Sequence, residues 1–262
     1  MLECILNVSE GRDPPLLEAL AAAGGDDLLD HHVDPHHNRS VLTTVGEDAA
    51  RRISRVAVEA IDLRDHHGAH PRQGAVDVVP FVALEGSTAA EACAARDRFA
   101  TWIGDALAVP AFLYGETEDV PTLPEVRRRA FVDLAPSAGP AAAHPTAGAV
   151  AVGCRPPLVA YNLWLVEPDL ERARAVASRV RGDGIRALGL AVGDRVQVSM
   201  NLVDPFRVGP AAAHDRVAAE VEVAGAELVG LLPRRVLEAI APERWAALDL
   251  GEDRTVEARL GR

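Results

Sequence analysis

The fold is decided by residues 27–63, which read DLLDHHVDPHHNRSVLTTVGEDAARRISRVAVEAIDL. Asp27–Val33 and Ser40–Val45 are short runs rich in apolar residues, and both are predicted to be strands. The polar segment 34–38, DPHHN, has the composition of a turn and joins them. Glu47–Leu63 carries apolar residues at helical spacing. The stretch therefore predicts a β-hairpin followed by an amphipathic helix.

The flanking segments extend this hairpin and helix into a larger unit. Leu2–Val8 is predicted to be a buried strand, and Pro14–Ala23 a helix that ends at a pair of glycines. After the central helix, Ala75–Leu84 is the next strand. The order βαββαβ is that of a ferredoxin-like unit, which places an antiparallel sheet under two helices. A helix over Thr88–Leu107 and a strand over Ala111–Tyr114 follow.

The second half repeats this order after a proline-rich passage, residues 121–145, that cannot be regular throughout. We place the domain boundary near its end, which gives domains 1–150 and 151–262. An α+β protein is expected, with two ferredoxin-like subdomains whose uncovered sheet faces either pack together or enclose a ligand. The predicted strands of the second half are Leu158–Val166, Ala187–Val192, Val196–Val203 and Ala226–Leu232, and its helices are Pro168–Arg181 and Pro210–Ala224.

Composition excludes several classes of function. The net charge of −12 argues against a general nucleic-acid binder, because phosphate affinity needs clustered Lys and Arg. No apolar run reaches the ~20 residues that span a bilayer, and the N-terminus has no signal-peptide pattern. The three cysteines show no CxxC spacing and are expected to be buried thiols. We therefore expect a cytoplasmic protein with neither nucleic acid nor membrane as its partner.

The sequence lacks the motifs of several common classes of enzyme. The sequence contains no Walker A loop, no GxGxxG, no HExxH and no GxSxG elbow. Nucleotide phosphate transfer and serine hydrolysis are therefore disfavoured.

Histidines are the most conspicuous polar feature. Six of the first seven occur in adjacent pairs, and His70 follows closely in the segment 65–74, DHHGAHPRQG. Gly68 is suited to end the preceding helix, and Pro71 forces the residue before it into an extended conformation. Such a turn is a place where side chains meet a ligand. Three readings stay open at this point: solvated loop histidines, a general acid/base, and a metal site completed by nearby carboxylates such as Asp34 and Asp77.

Two arginines adjoin the histidine segments. Arg39 follows the 34–38 turn, and Arg72 follows Pro71. A guanidinium binds a carboxylate through two parallel hydrogen bonds, so the pair would supply the local cations that an anionic substrate needs in an acidic protein. The alternative is that Arg72 pairs with Asp77 inside the fold.

These segments resemble the formiminotransferase family over nearly the whole chain. Residues 66–81, HHGAHPRQGAVDVVPF, are similar to the family's H-Q-G-E-H-P-R-M-G-A-x-D-V-x-P-F. Residues 34–41, DPHHNRSV, look like its D-P-x-H-N-R-[ST]-V. Supporting matches are LNVSEG at 6–11, FLYGE at 112–116, YNL at 161–163, QVSMNL at 197–202 and ELVGL at 227–231.

The resemblance implies an activity and a set of site residues. It implies transfer of a formimino group from a formimino-amino acid, N-formimino-L-glutamate by default, to N5 of tetrahydrofolate, the co-substrate. It also implies that the sheets of the two ferredoxin-like subdomains face each other around a ligand tunnel for the folate. The same resemblance implies a homodimer that needs no metal and a stand-alone form lacking the cyclodeaminase domain of the mammalian fusion. His70 matches the family's catalytic acid/base. The residues that we assign to substrate or folate binding on this basis are Asn7, Asn38, Arg39, Arg72, Asp77, Gly139, Pro140, Pro145, Gly148 and Asn201.

The sequence also departs from the family pattern. Ala69 stands where the family has Glu, and Gln73 stands where it has Met. The loop 139–148, GPAAAHPTAG, fits the family's G-P-x5-P-x2-G frame but lacks its serines and aromatic residues. Two other functions therefore stay open: a histidine-centred metal-dependent amidine or amide hydrolase, and a folate-binding relative without catalytic activity.

Overall fold

The structure, a computed structural model, describes residues 1–68, 71–115, 120–182 and 184–261. Contacts between residues divide the chain into two compact units, Met1–Arg155 and Pro156–Arg262. Each unit is described by itself.

The first unit is a mixed six-stranded sheet with the strand order β2-β3-β1-β4-β6-β5. Its first four strands are antiparallel and have the predicted ferredoxin-like order, whereas β6 runs parallel to both β4 and β5. The elements are β1 (Leu2–Val8), α1 (Pro14–Gly24), β2 (Leu28–Asp34), β3 (Arg39–Val45), α2 (Glu47–Ala60), β4 (Val76–Ala83), α3 (Ala89–Leu107), β5 (Ala111–Tyr114), α4 (Leu123–Arg129) and β6 (Val150–Cys154).

The sequence-based expectation of a purely antiparallel sheet is therefore wrong for this unit. Strand β6, which the sequence analysis did not predict, is a buried run of small apolar residues, Val150–Cys154. Such a run has no alternating pattern, and the parallel strands on both sides of it explain why it is apolar throughout.

The core of the first unit lies between one face of the sheet and the helices. Alternate residues of β1, namely Cys4, Leu6 and Val8, are fully buried there. Ile53 of α2 and Phe99 of α3 belong to the same cluster. The intervening residues of β1 lie on the other face of the sheet, and they are not part of this core cluster.

The second unit is a four-stranded antiparallel sheet with the order β10-β7-β9-β8, the ferredoxin-like order predicted from its sequence. Helix α6 ends six residues earlier than predicted, because Val223–Val229 pairs with β7 in spite of its Ala- and Glu-rich surroundings. The elements are β7 (Val159–Leu165), α5 (Leu170–Val180), β8 (Ile185–Val192), β9 (Arg195–Leu202), α6 (Pro210–Ala218), β10 (Val223–Val229), α7 (Arg234–Glu238) and α8 (Val256–Arg259).

The cysteines correct another expectation. Cys93 of α3 and Cys154 of β6 form a disulfide, because α3 packs across this strand, so these two residues are not the free thiols that the sequence predicted. Cys4 is free and buried, and burial raises the pKa of its thiol well above the ordinary value.

Within the described ranges, every helix is too short or too polar to cross a lipid bilayer.

Candidate functional site

Three loops of the first unit meet at one edge of its sheet: the loop after β1, the β2–β3 turn and the long connection from α2 to β4. Asn38, in the left-handed conformation with φ 48°, joins all three. Its Oδ1 accepts from the backbone N–H of Gly11 at 2.9 Å, and its Nδ2 donates to the carbonyl of His67 at 3.1 Å. Asn38 is buried, and its bond to Gly11 is shielded from water. The predicted site residue Asn38 therefore fixes the loops relative to each other.

Two glycines allow these loops to approach so closely. A Cβ on Gly11 would lie 2.4 Å from the carbonyl oxygen of Asp34. A Cβ on Gly68 would lie 2.2 Å from the carbonyl oxygen of His37. Neither distance is possible for a real side chain, so the loop contacts require glycine at both positions.

The loop after β1 is further held by its own charged residues. Glu10 accepts through one carboxylate oxygen from three backbone N–H groups, those of Gly11, Arg12 and Asp13, at 2.6–2.9 Å. The Arg12 guanidinium donates to the carbonyls of Pro35, His36 and His67. Arg12 thereby joins the same three loops as Asn38.

Asp34 and His37 form a pair inside the β2–β3 turn. One carboxylate oxygen of Asp34 accepts from the backbone N–H groups of His36 and His37, both at 2.9 Å, and the other contacts Nδ1 of the His37 ring. Burial raises the pKa of Asp34, but these bonds and the His37 ring outweigh it and bring the pKa to about 2. His37 is buried, so a carboxylate–imidazole pair is built into the edge of the site.

Asp77 is the most buried charge of the site. In the pairing of β1 with β4, Asn7 faces Val78 and Val8 faces Val76, so Asp77 is the extra residue of a β-bulge. A bulge redirects the side chain that it carries, and bulges are frequent beside active sites.

Two arginines and one backbone group bind the Asp77 carboxylate. Arg39 donates to Oδ2 at 2.7 Å, Arg127 donates to the same oxygen at 2.6 Å, and the backbone N–H of Gln73 donates to Oδ1 at 2.7 Å. Asp77 is completely buried, and the Arg39 side chain is 11% exposed. Burial by itself would raise the pKa of Asp77, but the charges of Arg39 and Arg127 lower it below the ordinary value. Two guanidinium groups and one carboxylate leave this cluster with one excess positive charge.

Arg72 adds a further cation beside this cluster. It is half-buried, and one of its guanidinium nitrogens contacts Nδ1 of His66. Burial lowers the pKa of His66, and the charge of Arg72 lowers it further. The neutral form of His66 is thereby favoured, and its Nδ1 accepts from Arg72.

The loop 139–148 lies against the same α2–β4 connection at its C-terminal end. Ala149 donates from its backbone N–H to the carbonyl of Gln73 at 3.0 Å, and Ala75 donates to the carbonyl of Ala147 at 2.9 Å. Gly148, with φ 68°, forms paired backbone bonds with His144. The predicted residue Gly148 therefore adjoins the arginine cluster through residue 73.

The N-terminal end of this loop lies elsewhere on the unit. Gly139, with φ 82°, packs against Gly104 of α3, where a Cβ on either glycine would lie 2.9 Å or less from the other residue. Pro140 and Pro145 are exposed. These three predicted residues shape the loop, and the structure does not bring them to the arginine cluster.

Two predicted asparagines occupy sheet positions. Asn7 is half-buried on β1, between Val41 and Val78 of the neighbouring strands, on the face opposite the core. Asn201 is exposed on β9 of the second unit, opposite Ala160.

His70, the residue predicted to be the acid/base, lies outside the described residues, as does Ala69 before it. The described residues on either side are fixed by contacts. Gly68 packs on the carbonyl of His37, and the carbonyl of Pro71 accepts from Arg127 at 3.4 Å.

The sequence analysis missed Arg127 and the pairing of His37 with Asp34. Arg127 lies on α4, fifty residues from Asp77, within a run of three arginines. The capping box formed by Thr122 and Glu125 marks the start of that helix in the sequence. No sequence signal tells which of the three arginines faces the site.

A metal centre has no ready-made ligand set in the part of the chain that the structure describes. No group of three or more His, Cys, Asp or Glu side chains there is arranged to hold an ion. Asp34 and Asp77 are instead bound by His37 and by the two arginines, respectively.

Comparison with known proteins identifies the family of this chain. Residues 1–155 match the family model described as "Formiminotransferase domain, N-terminal subdomain". The chain is 36% identical to a glutamate formimidoyltransferase from Streptococcus pyogenes serotype M1, over 92% of each chain. It is 34% identical to a glutamate formimidoyltransferase from Thermoplasma acidophilum, over 92% of this chain and 91% of the relative.

A longer relative is the formimidoyltransferase-cyclodeaminase of Sus scrofa. It is 32% identical over 90% of this chain, which spans 51% of the longer protein. The family match covers more than half of the chain, and the two glutamate formimidoyltransferases align along nearly their whole length. The protein is a member of the formiminotransferase family.

Proposed function

We propose that the protein transfers a formimino group from N-formimino-L-glutamate, or a related formimino-amino acid, to N5 of tetrahydrofolate. Membership of the family, with relatives named glutamate formimidoyltransferase, supports the reaction type. The observation that carries the substrate class is the arginine cluster around the α2–β4 connection.

Charge explains why that cluster matters. Both proposed substrates carry carboxylates, whereas the protein has a net charge of −12, so binding needs a local reversal of the field. Arg39 and Arg127 together exceed the charge of Asp77, and Arg72 lies next to them. Of these cations, we assign Arg72 to direct contact with a substrate carboxylate, because it is half-buried beside the cluster and a guanidinium can bind a carboxylate through two parallel hydrogen bonds.

The proposed chemistry needs a proton carrier and no covalent intermediate with the enzyme. The lone pair of folate N5 attacks the amidine carbon, which forms a C–N bond and a tetrahedral intermediate. A base removes the proton from N5, and the same group then protonates the amino-acid nitrogen as its C–N bond breaks. The products are 5-formiminotetrahydrofolate and the free amino acid.

We assign the proton transfers to His70, because it occupies the position of the family's catalytic histidine and because an imidazole gains and loses a proton near neutral pH. General acid–base catalysis of this kind contributes about 10²–10⁴ in rate. Correct placement of the two substrates contributes as much or more. The absence of a nucleophile motif in the sequence agrees with a direct transfer.

The test is a transfer assay with tetrahydrofolate and a panel of formimino donors, run for the wild type and two matched histidine variants. His70→Ala is expected to lower kcat by about a hundredfold or more, with its thermal melting unchanged. His36→Ala is the control, because His36 is exposed on the adjacent turn, and it is expected to keep normal turnover.

Near-normal turnover of His70→Ala would refute its role as the acid/base. Failure of the wild type with every donor, together with measurable folate binding, would favour the non-catalytic folate-binding function. Loss of activity in a chelator and its recovery with Zn²⁺ would favour the hydrolase. The homodimer that the family resemblance implies is tested separately by light scattering.

A further inference from the structure

The side-chain amide of Gln73 is buried without a hydrogen-bond partner. Neither its Oε1 nor its Nε2 bonds to any described residue, and both atoms are inaccessible to water. The backbone of the same residue is fully used, since its N–H donates to Asp77 and its carbonyl accepts from Ala149. The side chain therefore carries unmet hydrogen-bonding capacity on a fixed backbone.

Such an arrangement is costly for the folded protein. Nearly all buried polar groups in proteins have a partner, and each exception calls for an explanation. The family pattern that residues 66–81 resemble has Met at position 73, which has almost the same size as Gln and no amide. An apolar residue of the same volume at position 73 would avoid the free-energy cost of burying an amide that has no hydrogen-bond partner.

The position of Gln73 links the two parts of the candidate site. On one side its N–H binds the carboxylate that Arg39 and Arg127 also bind. On the other side its carbonyl is 2.3 Å from where a Cβ on Gly148 would lie, so it packs directly against the loop 139–148. A molecule held by the arginines and bordered by this loop would lie next to Gln73.

Side-chain rotation would bring the amide to such a molecule. Although its terminal atoms are buried, the residue as a whole is only partly so. Rotation about the side-chain bonds would move the amide without any change in the backbone, which its bonds to residues 77 and 149 keep in place.

We infer that Gln73 is a substrate-recognition residue whose side-chain amide binds a polar edge of a substrate that carries at least one N–H donor. An amide offers one acceptor and two donors, which are complementary to such an edge. This inference rests on the proposed function, and in that reaction two sources supply the chemistry: the amidine of the formimino donor and the amide edge of the folate ring. Substrate binding would then compensate for the unmet hydrogen bonds.

The test compares Gln73→Met with the wild type and with Ser54→Ala. Ser54 also carries a buried hydroxyl without a partner, but on α2 in the core, so its variant controls for relief of burial alone. Both variants are expected to melt at a higher temperature, by roughly 2–4 °C. Gln73→Met is expected to raise the KM for one substrate roughly 5- to 100-fold, and Ser54→Ala to leave both KM values unchanged.

The substrate whose KM rises identifies the source of the recognised group. Unchanged KM values for both substrates in an active Gln73→Met enzyme would overturn the inference and leave the proposed function intact. A lower melting temperature would also overturn it, because the amide would then be satisfied in the folded protein. If the wild type transfers no formimino group, the proposed function fails. In that case the inference about Gln73 is tested by calorimetry with tetrahydrofolate and with formiminoglutamate. Equal affinities of the wild type and Gln73→Met for each of these ligands would overturn the inference.

Discussion

Replacement of Asp77 by Asn tests the electrostatic core of the candidate site. The carboxylate is completely buried and accepts hydrogen bonds from Arg39, Arg127 and the backbone of Gln73. Asn keeps the shape but removes the charge, so two cations face each other without an anion. It also presents an NH₂ group where one of the three donors needs an acceptor. Removal of one partner from a buried ion pair costs about 3–5 kcal/mol, and we expect a loss of that size.

The free energy of unfolding, measured in urea for the first unit, gives the magnitude. Asp62→Asn is the control, since its ion pair with Arg64 lies at the surface and is expected to contribute no measurable stability. The double variant Asp77→Asn with Arg127→Met is expected to recover part of the loss, because it removes one of the two uncompensated cations. A loss below about 1 kcal/mol, or a double variant less stable than the single one, would refute the assignment of Asp77 as the anion that holds the cluster.

The remaining predictions concern the loops and the substrate cation. The pKa of Asp34 is about 2 in the folded protein and about 4 in the unfolded chain, so its contribution of roughly 2 kcal/mol to the free energy of unfolding is present above pH 4 and is lost as the pH falls towards 2. The difference in stability between the wild type and Asp34→Asn should therefore shrink over that pH range, and a constant difference would contradict the prediction. Gly68→Ala is expected to cost about 1–3 kcal/mol in thermal or urea unfolding, because its Cβ would lie 2.2 Å from a backbone carbonyl, whereas Gly225→Ala, with open space around it, should show no comparable loss. Calorimetry is expected to show that Arg72→Ala weakens substrate binding by about 1.5–3 kcal/mol, that Arg72→Lys restores only part of this loss, and that the control Arg128→Ala, at an exposed position, binds normally. Unchanged affinity of Arg72→Ala together with a large fall in its melting temperature would show that Arg72 is structural.

The sequence by itself determined the order of elements within each ferredoxin-like unit, and it determined the family. Strand Ala111–Tyr114 and the start of helix α2 at Glu47 coincide with the prediction, because apolar periodicity and glycine punctuation are local signals. Both ferredoxin-like strand orders follow from the same signals together with the rule that sequential strands pair or lie near each other. The histidine and arginine segments were also recognisable from the sequence, because each consists of consecutive residues with side chains able to bind a ligand or transfer a proton.

Tertiary structure alone decided which of those polar residues act together. The sequence predicted Arg39 as a substrate-binding cation, and its position on β3 brings it to the buried Asp77. Asp77 lies in a β-bulge that arises from the pairing of β1 with β4. Arg127 joins the same carboxylate from α4, across fifty residues, through a contact that no local pattern encodes. Likewise, the unmet amide of Gln73 is visible only from what surrounds it, because burial and hydrogen bonding depend on residues distant in the chain.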